Sequence, residues 1–104
     1  MTLSELEDLL RLATPEVYER EAPRAKNRYI AWHAYNVTPI HADDKVVCEL
    51  DRVQLDVFWP RSNDCLLGDV KRILNYFRVP YDIQDITWDD DRHLYRAILQ
   101  LMAV

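Results

Sequence analysis

The sequence contains a single glycine, Gly68, among its 104 residues. Loops that cradle phosphates, and the sharp turns that expose catalytic serines, need several backbone positions that only glycine fills at little steric cost. A chain with one glycine therefore excludes Walker-type and dinucleotide-type nucleotide binding. Gly68 itself falls inside a predicted helix, where it costs about 1 kcal/mol relative to alanine. We interpret it either as a close approach to a strand or as a position without special meaning.

The composition, with 49% hydrophobic and 30% charged residues, is that of a globular protein. The length supports one core, so we expect residues 1–104 to form a single domain. The net charge of −5 argues against general binding to DNA, RNA or an anionic membrane.

Cys48 and Cys65 lack the spacing of a metal or redox site. We expect both side chains to act as small buried hydrophobes, and we expect the protein to be kept in a reducing cytoplasm. Acidic residues interrupt the first apolar stretch, so we expect no secretory signal.

Hydrophobic periodicity predicts two helices. The first begins with a capping-box pattern at Thr2 and Glu5 and ends before Pro15. The second is capped by Ser62 or Asn63 and carries its apolar residues on one stripe. The residues of that stripe are Leu66, Leu67, Val70, Ile73, Leu74 and Phe77. Both helices are therefore amphipathic and need a surface to cover.

Aromatic and β-branched runs predict four strands. These are Tyr29–Tyr35, Val46–Trp59, Val79–Trp88 and His93–Ala103. Val17–Tyr18 allows an additional short strand, and Asn36–Lys45 reads as a long loop or an irregular hairpin arm. The order α-β-β-α-β-β predicts an α+β domain, with a mainly antiparallel sheet and both helices packed on one face.

Catalytic and metal-binding signals are weak. His33, His41 and His93 stand far apart, with no spacing that would make a shared metal site. The runs Asp43–Asp44 and Asp89–Asp91 lack the alternating ligands and the glycine of a calcium loop, and are typical of solvated turns. We therefore expect no enzymatic activity, no metal and no cofactor. The many aromatic residues on strands favour either a protein-binding surface or a core with aromatic rims.

From Tyr29 to Val104, about three-quarters of the chain, the order of motifs resembles the tail terminator family of long-tailed phages and prophages. These proteins are also called tail-completion or tail-to-head joining proteins. The motifs that carry the resemblance are the aromatic strand Tyr29–Trp32, the strand entry Ala42–Val46, the strand Val53–Phe58, the turn Val79–Tyr81 and the segment Leu94–Arg96.

The resemblance implies a structural virion protein that forms a homohexameric ring at the tail-head junction, assembled in the cytoplasm of a bacterial host. Such a ring caps the tail tube, stops its growth and joins it to the head or neck through head-to-tail contacts between subunits. The implied partners are further copies of the chain, the major tail tube protein and a neck or head-completion protein. DNA would only pass through the lumen, and no membrane is involved. The candidate interface residues, in the arm and on edge strands, are Asn36, His41, Asp43, Asp44, Lys45 and Trp59.

Two alternatives stay open at this point. A neck or head-closure protein of the same phage pathway would share much of this description. A small intracellular adaptor or inhibitor would instead bind one partner through its aromatic face.

Overall fold

A computed structural model describes residues 2–22, 27–36, 40–42, 45–48 and 51–103. The elements in order are α1 (Leu3–Leu10), β1 (Val17–Glu19), β2 (Tyr29–Asn36), β3 (Ile40–Ala42), β4 (Lys45–Cys48), β5 (Asp51–Trp59), α2 (Leu66–Tyr76), β6 (Tyr81–Asp89) and β7 (Leu94–Ala103). Five strands form one sheet in the order β1-β2-β5-β7-β6, and β3 pairs with β4 in a separate two-stranded sheet. Only β1 and β2 are parallel in the larger sheet. The predicted α+β class is confirmed.

Helix α1 starts where its capping pattern predicts. Thr2 is extended, and its Oγ1 accepts a hydrogen bond of 3.1 Å from the backbone N–H of Glu5. This bond satisfies one of the N–H groups that have no partner inside the first turn of a helix. Beyond Leu10 the chain tightens into turns, with the N–H of Ala13 bonded to the carbonyl of Leu10 at 3.0 Å. The regular helix is thus shorter than its apolar pattern.

Helix α2 is capped differently from the prediction. Neither Ser62 nor Asn63 caps it; Asp64 Oδ1 accepts a hydrogen bond of 2.8 Å from the N–H of Leu66. Asp64 also accepts a hydrogen bond of 3.1 Å from Arg28 Nε, which lies just before β2. This second contact is between residues distant in sequence, so the spacing of the helix residues alone could not reveal it.

One smaller expectation about α2 is wrong, and one of the two interpretations of Gly68 is excluded. Cys65 occupies the N-cap position and is exposed, with its thiol 3.4 Å from Asp69 Oδ2, so it is not a buried hydrophobe. The side chain of Cys48 lies outside the described residues. A Cβ placed on Gly68 would meet no atom of the described residues within 4 Å, so none of the described strands approaches it.

Both helices pack on one face of the large sheet, as predicted. Alternation along β5 turns Val53, Leu55 and Val57 toward the helices, and all three are fully buried. Their neighbours in register on β2 and β7 belong to the same core. The helices contribute Leu6, Leu10, Leu66, Val70 and Leu74. One core therefore joins both helices to β2, β5 and β7.

The predicted long strand from Val46 to Trp59 is two strands, β4 and β5. The chain leaves the large sheet at Asn36 and returns to it at Asp51, and these two residues are directly opposite each other in the β2–β5 pair. The segment between Asn36 and Asp51 contains the β3–β4 hairpin, and we call this segment the arm. The molecule is 52 Å long, and its radius of gyration is 14.9 Å. A compact chain of this length would have about 13 Å.

Candidate interaction surfaces

The arm contains most of the predicted interface residues. Asn36 is the last residue of β2, His41 lies in β3 and Lys45 begins β4. Asp43 and Asp44 lie outside the described residues, as do the side chains of the other three. The hairpin interpretation of this segment is confirmed, with His41 opposite Val46 and a register shift between Ile40 and His41.

Trp59 is not on an edge strand, contrary to the expectation. Strand β5 is the central strand of the sheet, with β2 on one side and β7 on the other. The indole of Trp59 is only 6% exposed and stacks on the ring of Tyr95, with 5.9 Å between ring centroids. Strand order depends on contacts between distant segments, which the aromatic pattern of one strand does not encode.

Of the two edges of the large sheet, the β1 edge is short and largely occupied. The carbonyl of Glu16 and the N–H of Arg20 bond to β2, so the backbone N–H and carbonyl groups of Val17 and Glu19 point away from β2. The N–H of Val17 bonds to the carbonyl of Pro15, and the carbonyl of Glu19 accepts from Glu21. These local bonds leave little of β1 for another strand.

The β6 edge is long and open. The strand has nine residues, and every residue from 82 to 88 is exposed. Among the described elements β6 pairs only with β7. Its other side therefore presents the unpaired backbone groups typical of an edge strand.

Large apolar side chains line the helix-side face of β6. Ile83 is 38% exposed, Ile86 51% and Trp88 45%. In register they lie beside Leu99, Ala97 and Tyr95 of β7, which face the core. The ring of Trp88 contacts Tyr95 edge-on, with centroids 4.9 Å apart, and thereby extends the stacked Trp59–Tyr95 pair to the surface. We call Ile83, Ile86 and Trp88 the apolar strip.

A register shift explains why the strip is hard to see in the sequence. Ile83 pairs with Leu99 and Asp85 pairs with Ile98, so Gln84 is the extra residue of a bulge. The bulge places Ile83 and Ile86, three positions apart, on the same face. Strict alternation would have put them on opposite faces. The available signal was the number of aspartates in β6, since charged residues are common on edge strands.

Acidic side chains occupy the opposite face of β6. By register, Asp82, Asp85 and Asp89 share the face turned away from the helices. Asp89 is paired with Arg92 at 2.8 Å, and the backbone N–H and guanidinium of Arg92 hold the pKa of Asp89 below its usual value. Among the described residues, no basic side chain forms a salt bridge with Asp82 or Asp85.

A cleft of about 550 Å³ lies on the same open face of the sheet. Arg92 and Arg96 lie over the ring of Phe58, at 5.2 and 5.7 Å from its centroid, and Arg96 is paired with Asp56 at 3.0 Å. Tyr29 stacks on Phe58 at 4.5 Å, and burial raises the pKa of its hydroxyl. Each of these arginines has a carboxylate partner, so the pair does not form an unpaired cationic site.

His33 and His93 lie in different parts of the fold. His33 lies in β2, with its ring centroid 6.0 Å from that of Tyr35, and His93 lies in the turn between β6 and β7. Within the part of the chain that the structure describes, no cluster of three or more histidine, cysteine or acidic residues could hold a metal ion. No described helix is long and apolar enough to cross a membrane.

A scan against models of protein families and a search of curated proteins both found no match to this chain.

Proposed function

We propose that this chain is a structural protein of a phage tail, of the tail terminator kind, whose copies form a ring that caps the tail tube and joins it to the head or neck. The observation that carries the proposal is the arm, a β-hairpin that leaves the large sheet between β2 and β5. The arm also contains Ala42–Val46, one of the motifs on which the family resemblance rests.

A two-stranded hairpin is marginally stable in water unless it packs against something else. The arm forms its own sheet, separate from the five-stranded one, and the molecule is longer than a compact chain of its size. Contact with a neighbouring subunit would stabilise such an arm. When an arm meets a different surface on the next copy, the contact is head-to-tail, which is the kind of contact that closes into rings.

The proposed partners follow from a place at the tail-head junction. They are other copies of the chain in a hexamer, the major tail tube protein, and a neck or head-completion protein, with assembly in the host cytoplasm. The chain would act by binding, without catalysis. Its net charge of −5 favours DNA that slides through a lumen without adhering, because like charges suppress phosphate contacts. Unchanged DNA ejection after reversal of several acidic residues would count against this role of the charge.

The test is negative-stain microscopy of a lysate from a phage whose copy of this gene carries an early stop. We expect headless tails of uncontrolled length beside filled heads. Tails of normal length beside heads that leak DNA would move the assignment to head closure. Intact virions would refute a structural role and leave the adaptor.

A second test addresses the arm itself. Alanine substitution of Asp43–Lys45 should impair particle assembly while the isolated subunit stays folded, because β3 and β4 form a sheet separate from the strands that hold the core. The double variant Asp90→Ala/Asp91→Ala is a control, since it removes charges from an exposed turn elsewhere. Normal infectious particles from the arm variant would contradict the assignment of the arm as an interface.

A further inference from the structure

The open edge of β6 differs from the arm in position and chemistry, and what it can bind is a separate question from ring formation. Three features of this edge restrict its partner: a backbone with no further strand beside it among the described elements, the apolar strip on one face, and the acidic pair Asp82 and Asp85 on the other. An added strand would meet all three at once, because its own side chains alternate between the two faces.

We propose that β6 accepts an extended segment of a partner protein whose side chains alternate between apolar and basic. The backbone of that segment would continue the sheet by pairing with β6. Its apolar side chains would cover Ile83, Ile86 and Trp88, and its basic side chains would lie beside Asp82 and Asp85.

The apolar strip gives this edge its affinity. The three side chains are 38 to 51% exposed although they lie beside core residues of β7. The helices cover β2, β5 and β7, and the strip continues the same face onto the uncovered strand. An added strand would extend this layer and remove apolar surface from water, which is favourable in proportion to the area buried.

The acidic face decides against a second copy as the occupant. Two copies joined through β6, with their helices on the same side of a continuous sheet, would place Asp82 and Asp85 of both chains on one face. Like charges opposite each other across a strand pair are destabilising. Asp89 adds little to this repulsion because Arg92 neutralises it. These two carboxylates, which have no salt-bridge partner among the described residues, favour lysine or arginine in an incoming strand.

Asp85 also makes the β6 edge selective against strands that lack basic residues. Its Oδ1 accepts a hydrogen bond of 2.9 Å from the N–H of Ile86, in the middle of β6. A basic side chain that engages this carboxylate would compete with that bond. An apolar strand without basic residues has no cation that could bind the carboxylate of Asp85 in place of this N–H group. The edge therefore discriminates between partners by charge as well as by shape.

The experiment uses the full chain and two synthetic seven-residue peptides, one alternating lysine and valine and the other alternating glutamate and valine. Binding of fluorescein-labelled peptide is measured by anisotropy at low and at physiological salt. We expect the lysine peptide to bind about fivefold to tenfold more tightly than the glutamate peptide, from two favourable cross-strand charge pairs. In the variant Asp82→Lys/Asp85→Lys the preference should reverse.

The control separates a local effect from the net charge. The variant Asp90→Lys/Asp91→Lys changes the charge by the same amount in the neighbouring turn, outside β6. It should weaken binding of the lysine peptide without reversing the preference. If both double variants reverse it equally, the selectivity comes from overall charge and the inference is wrong.

Two further measurements locate the binding site. Backbone amide shifts on addition of the lysine peptide should concentrate in residues 81–89, and Ile86→Thr, which keeps a β-branched residue, should weaken binding. Shifts confined to other residues, or no peptide binding at all, would overturn the proposal. So would a wild-type dimer through β6, seen by sedimentation and abolished by Ile86→Thr. None of these results depends on ring assembly, so they do not bear on the proposed function.

Discussion

Two single variants, Leu55→Ala and Ile86→Ala, are compared to test whether the apolar strip is exposed to solvent in the isolated subunit. Both changes to alanine remove three carbon atoms from a strand residue on the helix-side face. Leu55 lies in the central strand and is 0% exposed, whereas Ile86 lies in the edge strand and is 51% exposed. Burial is therefore the main difference between the two sites.

The expected losses in the free energy of unfolding follow from that difference. Each buried methylene is worth about 0.8 kcal/mol, and a closed cavity adds to the loss, so Leu55→Ala should cost about 3 to 4 kcal/mol. At Ile86 about half of the transfer term applies and the space opens to solvent, so the cost should be about 1 kcal/mol. With an unfolding entropy of roughly 2 cal/mol/K per residue, these correspond to Tm decreases of about 15 °C and about 5 °C.

Urea unfolding followed by far-UV circular dichroism, at subunit concentrations where sedimentation shows a monomer, gives both values. Equal losses at the two sites would refute the reasoning, because Ile86 would then be as covered as the core. A loss below about 1 kcal/mol for Leu55→Ala would refute the central position of β5.

Three further predictions concern the helices and the turn between β6 and β7. Gly68→Ala should stabilise the protein by about 0.5 to 1 kcal/mol in thermal unfolding, because the added methyl meets open space inside α2; destabilisation would mean that the site is crowded. Thr2→Ala should cost about 1 kcal/mol through loss of the cap on α1, whereas Thr2→Ser, which keeps the hydroxyl, should cost less. Asp89 has a lowered pKa in the folded state, so its contribution is present above its unfolded pKa of about 4 and is lost as pH falls through the folded value. Asp89→Asn should therefore lower Tm at pH 7 and make Tm less dependent on pH below about 4, and an unchanged acid profile would contradict this.

The local elements of this protein could be predicted from its sequence. The cap at Thr2, the one-sided pattern of α2 and the alternation in β5 each depend on residues within one short segment. The mainly antiparallel α+β class followed from the order of those segments. The family resemblance also comes from the sequence, and the proposed function combines it with the arm.

The partners of each element were decided only in the tertiary structure. Asp64, and not Ser62 or Asn63, accepts a hydrogen bond from the N–H of Leu66 at the start of α2, and it also binds Arg28, which is 36 positions away in the chain. Trp59 became a buried residue of the central strand because β2 and β7 both pair with β5. No pattern within a strand states which strands lie beside it.

Strand β6 shows most clearly which features come from the sequence and which come from the tertiary structure. The sequence determined that Ile83, Ile86 and Trp88 lie in a strand together with several aspartates. Only the folded sheet made that strand an edge, and only the bulge at Gln84 brought Ile83 onto the face that Ile86 and Trp88 share. The physical reason is that hydrogen bonding between strands joins distant segments, so strand order and register depend on the whole chain at once.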